Sequence, residues 1–325
     1  IGTIVALYEF KRGMLQVGDL IVIILLSSEF FIPLRLLGSY FHIAMNGMAA
    51  SDRIFALLDA PEEEEGALKM MPSSPQTVIQ LSHLNFSYDG ERQVLQDISL
   101  DLKSGGLTAI VGESGSGKST IASLLLAQRR VANGSILINN LPLSDVRKEE
   151  LYRYVSLVSA HSHIFKGTIR ENLLMAREGV TTDEMMQALR TARLESFVMQ
   201  LPQGLDTEVS DNGSSLSGGQ KQRLALARVI LADRPVIIFD EATSNIDVES
   251  EEAIWESIYE LAKQKTVLVI SHRLASVKEA KVIYVLNEGQ LVESGTHHEL
   301  MHRGGHYARM VEKQHQLESM REVSR

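Results

Sequence analysis

The chain holds 325 residues, about two domains at roughly 150 residues each. Its 32 Lys+Arg against 41 Asp+Glu give a formal net charge of −9, which argues against a nucleic-acid binder, since such proteins carry a basic patch or a basic isoelectric point. The absence of cysteine excludes disulfides, thiolate zinc sites, iron–sulfur clusters and a cysteine nucleophile.

Opening on Ile1 rather than Met, the chain reads as cut from a longer one. Residues 1–60 net only −1, so −8 of the charge belongs to residues 61–325. Residues 1–7 are apolar and read as the end of one span, with a reversal over 9–19. Residues 20–37 contain only Glu29 and Arg35 as charged groups, close to the run of about 20 apolar residues that a membrane helix needs. A buried helix of a soluble domain is the other reading. Charges at membrane depth cost about 2.5–3.5 kcal/mol each. Glu29 and Arg35 stand six apart, outside the i, i+4 relation, so a partner helix or polar cavity is expected to receive them. No basic start or small-residue cleavage site marks a signal peptide. The helical pattern runs on, more polar, over 39–59. Then Pro61, the acidic run 62–65 and the Pro-Ser-Ser-Pro stretch 72–75 predict a linker over 61–77.

From Val78 strands and helices alternate. Strand patterns cover 78–88, closed by an Asp89–Gly90 turn, then 98–102, 107–111, 155–158, 236–239, 266–270 and 282–286. Between 169 and 231 the pattern is almost wholly helical, and Thr181 with Glu184 forms a capping box. This order predicts an α/β fold, a mostly parallel sheet with a helical insertion.

The segment Gly112-Glu-Ser-Gly-Ser-Gly-Lys118-Ser119 fits G-x-x-x-x-G-K-[ST], between an apolar strand and an apolar helix. Glycines let backbone N–H groups turn inward on phosphates, and the next helix offers its positive N-terminus. Gly112, Ser114, Gly115, Ser116, Gly117, Lys118, Ser119 and Thr120 are therefore expected to hold a nucleoside triphosphate, with Ser119 also on Mg²⁺. The run 236–241, Val-Ile-Ile-Phe-Asp-Glu, places Asp240 122 residues beyond Lys118. A buried strand ending in two carboxylates delivers them to the sheet edge where ligands bind. Asp240 is the expected metal holder and Glu241 the base that orients or deprotonates water. Two acids capping the next helix is the plainer alternative. His272 also follows a buried strand and emerges at the same edge.

Leu216-Ser217-Gly218-Gly219-Gln220 precedes a helix-patterned stretch. Placed between a phosphate loop and a strand ending in Asp-Glu, it makes residues 78–320 resemble the ATP-binding-cassette family. The resemblance implies the cassette fold of the P-loop NTPases: a mostly parallel sheet, an antiparallel β subdomain and a helical insertion. It implies ATP and Mg²⁺ as ligands, with Ser217, Gly218, Gly219 and Gln220 meeting the γ-phosphate of a second cassette. It also implies adenine stacking on Tyr88, 24 residues before Gly112, and a γ-phosphate contact from His272. Asp247, in Ser-Asn-Ile-Asp, falls in the loop that crosses such a dimer. The stretch 165–172 resembles the one that faces the membrane domain in exporters, and 207–210 resembles the coupling segment upstream of the 216–220 signature. Residues 1–60 resemble the end of an exporter membrane domain, with a span over about 19–45 and an extension toward the cassette. That resemblance implies a plasma-membrane, multi-pass half-transporter with its cassette in the cytoplasm. Its partners would be a second half-transporter, the lipid membrane and a small exported solute, with no nucleic acid. It also places 9–17 outside the cell, against the tendency expected from Lys11 and Arg12.

One departure stands out. Where the family carries a metal-contacting glutamine, this chain has Ala160, so His161 or water is expected to substitute, or the site to couple weakly. Two alternative functions stand beside the transporter: a regulatory cassette with little hydrolysis, and a soluble cassette ATPase acting on nucleic acid or ribosomes. The first is opposed by Glu241 and His272, the second by residues 20–37. His298, His302 and His306 have helical metal-site spacing, but Gly304 and Gly305 interrupt that helix, so a surface role is expected. Met185, Met186 and Leu189 read as helix packing.

Overall fold

The computed structural model describes residues 2–60, 66, 78–88, 90, 92–131, 133–160, 162–244 and 246–323. The linker expected over 61–77 thus lies, Gly66 apart, outside the described residues, as do Asp89, His161 and Asn245. The chain divides into two compact units, Ile1–Glu64 and Glu65–Arg325.

The first unit is a helical hairpin of α1 (Gly2–Lys11) and α2 (Val17–Leu58). At 42 residues α2 runs about 63 Å, twice a hydrocarbon core of about 30 Å. The Gln16 N–H donates to Asp19 Oδ2 at 3.0 Å and starts the helix. Ser27 and Ser28 return their hydroxyls to the carbonyls of Ile24 and Leu25, so neither hydroxyl proton is left without an acceptor. Pro33 sits inside α2 without ending it, although it offers no N–H to the Glu29 carbonyl. No residue of α2 is buried, and Phe30, Phe31, Leu34 and Leu37 lie exposed along it. Among the described residues this is the one helix long and apolar enough to cross a membrane. No ion pair joins Glu29 to Arg35 among them.

The second unit begins with β1 (Ile79–Ser87), β2 (Gln93–Leu102), β3 (Gly106–Gly112) and α3 (Lys118–Leu125). Then come β4 (Asn133–Ile138), β5 (Leu141–Pro142), α4 (Lys148–Tyr154) and β6 (Val155–Ser159). The insertion holds β7 (Gly167–Thr168), α5 (Ile169–Leu174), α6 (Thr182–Thr191), α7 (Glu195–Gln200), β8 (Glu208–Val209) and α8 (Gly218–Ala232). The chain finishes through β9 (Val236–Asp240), α9 (Val248–Ala262), β10 (Thr266–Ile270), β11 (Val282–Asn287), β12 (Gln290–Gly295), α10 (His297–Arg303) and α11 (His306–Val323).

Six strands form the central sheet in the order β12-β11-β3-β10-β9-β6, parallel except for the antiparallel edge β12. Four form an antiparallel sheet in the order β2-β1-β4-β5. The central strands bury apolar side chains on both faces. Ala109, Val111, Ile237, Phe239, Val267 and Val269 point into a core shared with the helical insertion and α9. Ile110, Val236, Ile238, Leu268 and Ile270 point into a second core against β1, β2, β4 and α3. Period-two alternation with both faces covered is what a buried parallel sheet requires. Met185 and Leu189 are buried in the first core, and Met186 packs against it.

The sequence pattern misses five strands, β4, β5, β7, β8 and β12, and half of β2. Strand β4 has only Ile136 and Ile138 buried, and β12 has no fully buried residue, so neither carries a run of apolar residues to announce it. Strand β2 starts at Gln93 rather than at 98; its first half has Leu95 as its one buried residue and so lacks the strict alternation of 98–102. Inside the nominally helical insertion, β7 and β8 pair antiparallel over two residues each.

Candidate functional site

The strands β3, β9 and β10 lie side by side and parallel, so their C-terminal ends bring Gly112, Asp240 and Ile270 to one edge. From β3 the chain turns through 113–117 into α3. Gly115 and Gly117 take φ of +81° and +99°, a region open to glycine at little cost. A Cβ on Gly112 would stand 2.2 Å from the Leu286 carbonyl oxygen. Backbone packing therefore demands that glycine. Lys118 is buried and folds back on the loop, its Nζ donating to the carbonyls of Gly112 at 3.0 Å and Glu113 at 2.7 Å. Burial pushes its pKa down, and the charges of Glu241 and Asp240 oppose that shift. Three donors on a poorly solvated ammonium, held chiefly by carbonyls, leave it fit to receive an anion.

Ser119 Oγ donates to Asp240 Oδ1 at 3.0 Å, which joins the phosphate loop to the acidic strand end. Burial pushes the Asp240 carboxyl up; the Ser119 hydroxyl bond works against this and the neighbouring Glu241 charge with it. A hydroxyl and a poorly solvated carboxylate make an oxygen donor pair suited to a hard divalent cation. Glu241 sits just past β9 with φ +51°, left-handed backbone that costs a non-glycine residue about 1–2 kcal/mol. The Ile270 carbonyl, accepting from Glu241 N–H at 3.0 Å, and Ser244, whose hydroxyl donates to the Glu241 carbonyl at 2.8 Å, hold it there. The result aims Glu241 Oε1 to within 3.5 Å of His272 Nδ1, both side chains being partly open to solvent. Lys118, Ser119, Asp240, Glu241 and His272 thus converge at one edge.

Tyr88 lies on the flank of this group. Its hydroxyl shares a 3.1 Å hydrogen bond with Thr120 Oγ1, and Phe86 meets it edge to face at 5.0 Å. The Arg129 guanidinium lies 5.6 Å from the ring centroid. With the residue 56% exposed, aromatic surface remains for a planar base. A cavity of about 1020 Å³ opens on the other flank, bounded by Gly112–Ser114, His272, Leu274, Trp255 and Met310.

Ser217 through Gln220 form a second cluster. Ser217 caps α8, its oxygen accepting from the Gln220 N–H at 3.2 Å while Gln220 Oε1 accepts from the Ser217 N–H at 2.8 Å. Asp247 caps α9, its carboxylate accepting from the Ser250 N–H at 2.8 Å, and that backbone bond holds its carboxyl below the usual range. The two caps touch: a Cβ on Gly219 would lie 2.1 Å from Ser250 Oγ and 3.3 Å from Asp247 Oδ2. Among the described residues no hydrogen bond or ion pair joins 217–220 to 112–119. Asn172, fully buried, pins the 165–172 stretch by donating to the carbonyls of Phe165 and Thr168 and accepting from the Phe165 N–H. Ala160 follows β6 and donates its N–H to the Asp240 carbonyl at 3.1 Å. Sequence pattern alone does not single out Gln222, a buried amide one turn into α8 whose Nε2 donates to the carbonyls of Ser159 and Ala160. A polar residue on the otherwise apolar buried face of α8 is the signal that could have found it. Among the described residues no cluster of three or more His, Asp or Glu is arranged to hold a metal, the His298–His306 series included.

Residues 95–244 match the family model described as ABC transporter. An uncharacterized ABC transporter ATP-binding protein of Haemophilus influenzae is 46% identical over 324 residues, which is 100% of this chain and 58% of that protein. The ATP-dependent lipid A-core flippase of Pseudomonas aeruginosa is 39% identical over 302 residues, covering 92% and 50% respectively. The chain spans about half the length of the curated relatives it matches. In three dimensions it is similar to a bacterial Atm1-family ABC exporter with ATP bound, with a TM-score of 0.76 and 33% identity over 96% of this chain and 55% of that one.

Proposed function

This chain belongs to the ATP-binding-cassette transporter family, of the exporter type, and from that premise we propose that it binds and hydrolyses ATP to drive export across a membrane. The observation that carries the reading is the hydrogen bond from Ser119 to Asp240, which closes the phosphate loop onto the acidic strand end beside Lys118, Glu241 and His272. Phosphoryl transfer asks for positioning and electrostatics rather than covalent chemistry. The 113–117 backbone and Lys118 hold the β- and γ-phosphates, and Tyr88 stacks on the base. Ser119 and Asp240 would hold Mg²⁺, which when bound neutralises charge on the phosphates. Glu241 orients the attacking water and takes its proton, and His272 steadies Glu241 and the γ-phosphate.

The separation of Ser217–Gln220 from the phosphate loop supports a site completed by a second copy or a related chain. The capped N-terminus of α8, presenting free backbone N–H groups, is suited to an anion. Helix α2 supplies the membrane side, with its uncovered apolar surface. The cargo is either a small solute or, following the relatives named as lipid A-core flippases, an amphipathic lipid.

The cysteine-free sequence makes the dimer testable. One preparation carries Ser114→Cys, another Ser217→Cys, and the two are mixed in membrane with a mild oxidant. A covalent dimer that forms with ATP and Mg²⁺ and not without them is the expected result. Equal cross-linking with and without nucleotide would overturn the shared-site reading.

A further inference from the structure

Helix α8 grips the segment that follows β6 at two points. Gln222 Nε2 donates to the carbonyl oxygens of Ser159 at 3.0 Å and Ala160 at 2.7 Å. Two turns further on, Arg228 donates to the carbonyl of His163 at 2.6 Å. Gln222 is only 4% exposed, so both its bonds are made away from water. The bonded segment is in turn bound to the acidic strand end. Ser159 is the register partner of Asp240, and the Ala160 N–H donates to the Asp240 carbonyl. Asp240 itself accepts from Ser119. Hydrogen bonds joined through the covalent frames of Ala160 and Asp240 therefore link α8, one turn past Ser217, to the oxygen pair that would receive the cation. Side chain and backbone share this work because Ala160 has no side chain beyond Cβ to reach either neighbour.

Both contacts are donated by one nitrogen, while Gln222 Oε1 is buried without a partner among the described residues. A buried acceptor left open is costly, so a residue serving packing alone would favour an apolar side chain of the same length.

We propose that Gln222 is a positioning residue that locks the Ser159–Ala160 segment, and through it Asp240, to α8, so that displacement of the α8 N-terminus reaches the cation side of the nucleotide site. The inference rests on the roles proposed above for Asp240 and Ser119. It assigns Gln222 no contact with substrate.

The test uses the full chain with Gln222→Met, which keeps length and loses both donors, and Gln222→Glu, which keeps shape and turns a donor into an acceptor. Amide exchange over 158–164 and 239–244 is measured without nucleotide. Both segments should exchange about tenfold faster in each variant, as expected if two buried bonds are lost. Binding of a fluorescent ATP analogue is then measured in EDTA and across a Mg²⁺ titration. The affinity in EDTA should stay unchanged, and the Mg²⁺ midpoint should rise about tenfold. A lower unfolding temperature with unchanged exchange at 239–244 and an unchanged Mg²⁺ midpoint would reduce Gln222 to a packing role and overturn the proposal. If Gln222→Glu fails to fold, Gln222→Met decides. If the parent chain binds no nucleotide, the proposed function fails, and the exchange experiment still decides whether Gln222 holds Asp240.

Discussion

Glu241 occupies backbone that favours glycine, and replacing it should separate the strain from the chemistry. Its φ of +51° lies in the left-handed region, which costs an L-residue with a Cβ about 1–2 kcal/mol. Glu241→Ala removes the carboxylate and keeps that strain. Glu241→Gly removes both, and pays glycine's extra unfolded-state entropy of about 0.5–1 kcal/mol. Both variants lose the half-exposed contact with His272, so it drops out of the comparison. Taken at their midpoints, these two effects leave Glu241→Gly more stable than Glu241→Ala by about 0.8 kcal/mol. For a unit of this size that is about 1–4 °C in Tm. Thermal unfolding of the two variants without nucleotide reads it directly, and phosphate release in parallel should show both slowed by about 10²–10⁴-fold if Glu241 is the base. A glycine variant no more stable than the alanine variant would refute the strain argument. Hydrolysis at the parent rate in either would refute the role.

Three further outcomes are expected from the same geometry. Tyr88→Ala should weaken ATP binding by about 5–100-fold, the usual loss when a base loses its stacking partner, while Tyr88→Phe, which forfeits only the bond to Thr120, should stay within about threefold by calorimetric titration. Gly219→Ala drives a Cβ into Ser250 Oγ and should destabilise by about 1–3 kcal/mol in chemical denaturation, with Ser250→Gly recovering part of the loss in the double variant. Glu184 is held down to about 2, first by the Thr181 N–H, then by the Arg177 guanidinium and the Thr181 hydroxyl. A depressed carboxylate contributes stability above its unfolded value, near 4.5, and loses it as pH falls toward about 2. Carboxyl NMR titration should find that midpoint, and Thr181→Ala should raise it.

The parts legible in the sequence were those encoded over short stretches. The phosphate loop, the apolar run ending in Asp240 and Glu241, and the Thr181–Glu184 cap each need only neighbours in the chain to be recognised. Central strands such as β9 and β10 announced themselves because every residue of their interiors is buried. Strands β4 and β12 did not, since half or more of each is open to solvent. The order β3-β10-β9-β6 is a matter of long crossovers, which no local pattern records. For the same reason Gln222 read as one more polar residue of a helix, although a segment 62 residues away gives it its partners. The left-handed Glu241 was equally hidden: strain at a strand end appears only when the bonds to Ile270 and Ser244 are seen to enforce it.

The central claim is that Lys118, Ser119, Asp240 and Glu241 form one ATP-hydrolysing site. The most direct test is phosphate release from ATP by the full chain in membrane, with Mg²⁺ and with EDTA, beside Lys118→Ala. The predicted result is Mg²⁺-dependent release from the parent chain that falls to background in EDTA and in Lys118→Ala. Release that persists undiminished in Lys118→Ala, or a parent chain that releases no phosphate with Mg²⁺ present, would contradict it.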